Sequence, residues 1–213
     1  MIEKPMINGG SAERHSIVAD VIRHRRYIRP VTATVWNLDA SDGQLLVHTG
    51  VTGRAAKMGH RLTIALNTGL ATVRWSAGEP AEAELTVEVD SLQVLRGEGG
   101  VKALSGLEKT LARSNALKVL DADRFPQIRF QASDIDTVDD GYRLTGTLEI
   151  HGVAGERGID LRVEDLGGAW RLSCQAEVRQ SEYGIKPYSM LMGSMKVVDT
   201  VTVSFTAERA KDD

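Results

Sequence analysis

A single cysteine, Cys174, stands in 213 residues, so no disulfide can form within the chain. That excludes a small disulfide-stapled scaffold and suits a reducing compartment. There are only five prolines, and aromatic residues make up 5% of the chain, which excludes collagen-like and proline-rich architectures. An excess of one charge is also missing. The net charge of -3 gives no global pull toward nucleic acid, and no nucleic-acid partner is expected. No apolar run approaches the roughly 18 residues that a spanning helix needs. The opening stretch MIEKPMINGGSAERHS carries Glu3, Pro5 and two glycines where an export signal has a continuous apolar core. Together these absences predict a soluble, cytoplasmic, globular protein.

Enzyme signatures are missing as well. There is no phosphate-binding glycine loop, no GxGxxG, no HExxH, no GxSxG elbow and no CxxC pair. His15, His24, His48, His60 and His151 are scattered, without metal-ligand spacing. Cys174 alternates with Leu172 and Ala176, as a small buried hydrophobe would. No catalytic residue, metal or cofactor is expected from these positions, and the chain is not expected to be an enzyme.

What is present is period-two alternation. Leu85, Val87 and Val89 oppose Glu84, Thr86 and Glu88. Ile128 and Phe130 share a face. So do Leu144, Leu148 and Ile150; Ile159, Leu161 and Val163; Trp170, Leu172, Cys174, Ala176 and Val178; and Val201, Val203 and Phe205. LTIAL (62–66) and ATVRW (71–75) flank Asn67-Thr68-Gly69 and read as a hairpin. Turn chemistry is read at Arg96–Gly100, Asp139–Gly141, Gly155–Gly158 and Gly167–Gly168. With GQLLVHTG this gives eight or nine strands. The expected fold is all-β, an antiparallel barrel of about eight strands.

Two segments depart from that period. Leu104, Leu107 and Leu111 recur at helical spacing behind a capping box of Ser105 and Glu108. They predict one helix, or two short ones broken near Ser114 and Asn115, inserted mid-barrel as a lid or as a plug. Ser16–Arg29 spaces Ile17, Val18, Val21, Ile22 and Ile28 among Arg23, His24, Arg25, Arg26 and Arg29. This reads as a basic amphipathic helix, either packed with a solvated face or in weak contact with an anionic membrane. Residues 1–40 are therefore an N-terminal, partly helical extension, and residues 41–210 the barrel domain. The oligomeric state stays open, a homodimer included.

The segments DADRFPQIRFQASDI (121–135), LTGTLEIHGV (144–153) and QSEYGIKPYSMLMGSMKVVDTVTVSF (180–205) resemble, in order and spacing, the YceI-like family. The resemblance implies a lipocalin-like barrel with a helical insertion that encloses a long apolar ligand: a polyisoprenoid, an isoprenoid quinone or a similar lipid. The family continues after His151 with a Thr-x-Pro-type turn. Here the sequence reads Ala154-Gly155-Glu156-Arg157, a change expected at the rim only. Candidate ligand-binding residues are Trp75, Leu85, Val87, Phe130, Leu148, Leu172 and Phe205 as walls. Gly146 and Cys174, with Ala71, Ala132 and Ala176, are small residues that would open a tunnel. Position 64 is left unassigned. Tyr183, Lys186 or His60 would meet a headgroup at the rim. The alternatives are an enzyme using His60, His151 or Tyr183 on an apolar substrate, and a ligand-free interaction module.

Overall fold

The computed structural model describes residues 34–211. The expected helix at Ser16–Arg29, and with it most of the N-terminal extension and the membrane contact assigned to it, lies outside the described residues.

The alternating segments form fourteen strands: β1 (Val35–Asp39), β2 (Gly43–His48), β3 (Val51–Thr52), β4 (His60–Leu66), β5 (Gly69–Ser76), β6 (Glu79–Glu88), β7 (Leu92–Gly99), β8 (Gln127–Val138), β9 (Gly141–Ile150), β10 (Val153–Asp165), β11 (Ala169–Arg179), β12 (Ser189–Met190), β13 (Met195–Val197) and β14 (Thr200–Ala210). Eleven build one antiparallel sheet in the order β1-β5-β6-β8-β9-β10-β11-β14-β2-β4-β7, and β12-β13-β3 form a small second sheet.

The count of about eight strands is thereby corrected to eleven in the main sheet. The reason is a shared corner. β1 gives way to β2 after Asp39, β4 to β5 after Leu66, and β6 to β7 after Glu88. At the corner Asp39 pairs with Leu70, Leu66 with Leu92, and Gly69 with Val87. Three long stretches of chain thus bend along one line, and each changes partner there. The 3-10 turn Val89–Ser91 carries the chain from the third place in the sheet order to its far edge. The sheet is accordingly strongly curled, with its apolar faces turned inward.

Pairing also corrects three turn assignments. The link at Asn67-Thr68-Gly69 is not a hairpin: β4 pairs with β2 and β7, whereas β5 pairs with β1 and β6. The chain reverses at Ala77-Gly78 instead. Gly155–Gly158 lies within β10, with Gly155 opposite Leu148 and Gly158 opposite Thr145. The β9–β10 reversal is at His151-Gly152, where both residues have positive φ (54° and 72°), as a two-residue hairpin turn of the primed type requires. Arg96–Gly99 belongs to β7, which pairs with β4 through His60↔Gly99. Ala154–Arg157 is therefore strand and not rim.

One helix interrupts the strands, α1 (Gly106–Val119). The capping box is present: Glu108 N–H donates to Ser105 Oγ (3.3 Å), and Ser105 N–H donates back to Glu108 Oε2 (2.8 Å). The helix runs unbroken through Ser114 and Asn115. It docks on β7 through cations that satisfy free carbonyls. Lys109 Nζ donates to Leu95 O (2.6 Å) and Arg113 Nε to Leu92 O (2.7 Å). Under it, Leu104, Ala112, Ala116, Leu117 and Leu120 pack on buried Ile64, Leu92 and Val94. A second cluster of buried Leu38, Leu172 and Ala207 packs β1 across the interior onto β11 and β14. The largest cluster gathers Phe130, Leu144, Leu148, Ile150, Val178, Tyr183 and Ile185.

Candidate functional site

Alternation turns one face of nearly every strand of the curled sheet inward, and beyond the contact of Leu38 with Leu172 and Ala207 the inner faces leave space between them. They enclose a cavity of about 640 Å³. That is within the range of ligand sites, roughly 300–1,000 Å³. The lining is mostly aliphatic. β11 contributes Leu172, Cys174, Ala176 and Val178, and the neighbouring strand β14 contributes Val201, Val203 and Phe205.

Leu85, Val87, Phe130, Leu148, Leu172, Cys174 and Phe205 line this space as expected, and so do Ala71 and Ala176. Ile64, the position left unassigned, lines it too. Five candidate residues do not: Trp75, Gly146, Tyr183, Ala132 and Lys186. Trp75 packs against Trp36 with ring centroids 4.7 Å apart. It stands where β5 slips register against β6, between Arg74 and Trp75. Gly146 serves the sheet and not a tunnel: a Cβ there would sit 2.1 Å from Gln131 O, on the neighbouring strand at its register slip. Tyr183 is 3% exposed within the large cluster, and burial pushes its hydroxyl pKa up. Ala132 is buried beside Gly146, outside the lining. Lys186 is solvent-exposed.

The mouth is built by elements that alternation does not reveal. α1 lays Glu108, Leu111, Ala112 and Asn115 along one side. Asn115 Nδ2 donates to Tyr188 Oη (3.1 Å), tying the helix to the chain entering β12. Met58, Met190, Met195 and Lys196 form the other side. A sequence cue for this rim exists in the run MLMGSM (190–195), since methionine is the residue that adapts to irregular apolar surfaces.

Three polar side chains along the lining, His60, Arg157 and Gln180, are already engaged. His60 Nε2 lies 2.8 Å from Lys102 O, which fixes that nitrogen as the N–H donor. Arg157 Nη2 donates to Glu177 O (2.8 Å), and Gln180 Nε2 to Val198 O (3.0 Å). His151 is held at the β9–β10 turn against Phe125, ring centroids 4.6 Å apart, and does not line the cavity. Burial raises the Cys174 thiol pKa, so the thiol is the resting form. Among the described residues, no group of three or more His, Cys, Asp and Glu side chains could hold a metal ion. No described helix is long and apolar enough to cross a membrane.

No curated protein matches the sequence. Solved structures share the fold. Burkholderia cenocepacia BcnA superposes with a TM-score of 0.62 at 17% identity, covering 81% of this chain and 99% of that one. A mutant CJ YCEI protein gives 0.53 at 14% identity, covering 70% of this chain and 85% of that one. The family model described as YceI-like domain matches residues 36–209, almost all of the described chain. The match spans the curled sheet, the helix set into it and the closing segment: the chain is a member of the YceI-like family.

Proposed function

We propose that the chain binds a long apolar ligand inside the curled sheet, a polyisoprenoid, an isoprenoid quinone or a similar lipid, and carries or stores it without transforming it. The observation that carries this reading is the aliphatic interior of about 640 Å³ left open beneath α1. Burial of each ligand methylene contributes about 0.8 kcal/mol. Ten buried carbons give about 8 kcal/mol before ordering losses, enough for roughly micromolar affinity without a polar contact. The engaged side chains of His60, Arg157 and Gln180 favour binding over chemistry, since none is left aimed into the cavity as a free acid or base.

The test is solvent extraction of purified full-length protein followed by mass spectrometry, with Nile red titration alongside. A long-chain apolar molecule in near-stoichiometric amount, displacing the dye when added back, is the expected result. An extract with no such molecule, together with no dye binding, would overturn the reading.

A further inference from the structure

The turn Leu191–Gly193 joins β12 to β13. Met190 and Met195, on its two sides, line the cavity, so the turn lies at the mouth. Leu191 is 54% exposed and Met192 fully so, at 106%. Both have left-handed φ, 54° and 53°, a region unfavourable for residues other than glycine. The turn therefore holds two apolar side chains in solvent despite backbone strain. Met58 (58% exposed) and Leu111 (59% exposed) extend the same apolar rim. Exposed apolar side chains gathered at one opening mark an interaction site.

Charge identifies the occupant. Two of the three segments at this rim, 50–60 and 184–198, carry Arg54, Lys57, Lys186 and Lys196 and no aspartate or glutamate, in a chain whose net charge is -3; the third, α1, places Glu108 there, paired with Lys102. Among the described residues none of the four is in an ion pair. Apolar side chains on segments whose only charges are cations outside ion pairs suit an anionic lipid interface. The other occupants fit less well. The chain's own segment 16–29 is basic and would bring like charge to the rim. A second copy meeting this face with its own would do the same.

We propose that the mouth docks on an anionic bilayer, with Leu191 and Met192 inserted at the acyl boundary and Arg54, Lys57, Lys186 and Lys196 on the headgroups. An apolar ligand then passes between bilayer and interior without crossing water. Docking goes beyond ligand binding and stands without it, because vesicle association is read separately from dye uptake.

The experiment is co-sedimentation of the full chain with vesicles of phosphatidylcholine alone and of phosphatidylcholine mixed with phosphatidylglycerol. Association with the mixed vesicles, weakening as salt rises, is expected. The paired change Leu191→Ser with Met192→Asp, neither residue lining the cavity, should lower partitioning at least about tenfold. Nile red uptake in vesicle-free buffer should stay at the wild-type level. Arg54→Glu with Lys57→Glu should also abolish preference for the anionic vesicles. Equal sedimentation of wild type and the paired variant would overturn the proposal, as would equal binding to both vesicle types. Loss of binding on Arg25→Glu with Arg26→Glu, but not on the rim changes, would assign docking to the N-terminal segment instead. A dimer that the rim changes dissolve would assign the surface to a second copy.

Discussion

Ala176→Phe separates a hollow interior from a filled one by the sign of its effect. Ala176 is opposite Val203 and lines the cavity between Cys174 and Val178. The substitution adds about six carbons facing the void. In empty space they gain roughly 1.5–3 kcal/mol of burial. For a chain of this size about 2 kcal/mol raises Tm by about 4–8 °C. In a filled interior the same ring overpacks and costs about 1–3 kcal/mol, lowering Tm by a similar amount. The ligand responds in the opposite direction. Displacing about six of its carbons at ~0.8 kcal/mol each removes up to about 5 kcal/mol of burial, so Nile red or lipid affinity should fall by about a hundredfold or more. Differential scanning calorimetry and dye titration on one preparation read both effects. A lower Tm with unchanged affinity would refute the cavity argument.

Hydrogen bonds from the Ser105 hydroxyl and backbone N–H, and then Lys102, hold the Glu108 pKa at about 2 against an ordinary 4.5. The folded pKa is depressed, so the capping contribution is complete above about pH 4.5 and fades as pH falls toward 2. The stability gap between wild type and Glu108→Gln in urea unfolding should close over that window, and a constant gap would contradict it. With its pKa raised by burial, Cys174 should react with a disulfide reagent at pH 8 far more slowly in the folded than in the unfolded chain, and more slowly still with ligand bound; no ligand protection would place the thiol outside the bound volume. Gly146→Ala should destabilise by about 1–3 kcal/mol or more in denaturant titrations, because its Cβ would meet Gln131 O at 2.1 Å; a neutral result would show that β8 and β9 can separate there at little cost.

Inward faces were legible because each is a local period-two signal. Leu172 to Val178 and Val201 to Phe205 need only their own neighbours to declare a side. The α1 start was equally legible, since Ser105 and Glu108 satisfy each other across three positions. Reversals were legible at Asp139–Gly141 and Gly167–Gly168, but elsewhere glycine misled. Gly155 and Gly158 lie in extended β10, while the chain turns on Ala77-Gly78 and His151-Gly152, where a single glycine follows a residue itself at φ 54°. The shared corner left no mark either. Alternation says which way a side chain points but not which strand lies beside it, so a stretch that changes partner midway reads as one strand. Trp75 followed from that limit: it has the wall residue's size, but it stands where register slips and its partner is Trp36. The rim was missed because Met58, Leu111 and Met190 lie outside the alternating segments or face the opening from a helix.

The seam between β2 and β14 has a consequence for how the protein forms. His48 and Ser204 meet across it at 3.2 Å, though 156 positions apart in the chain. The other seams of the eleven-stranded sheet join segments much closer in sequence, and the only comparably distant pairing among the described strands, β13 with β3, lies beside this seam's end in the chain. Loop-closure entropy makes such a distant pairing a late event in folding. The meander at one end of the chain and the strands that follow α1 can each assemble first, leaving the greasy interior a trough open along one side. Only when the last strand pairs with both β11 and β2 does the trough become a container.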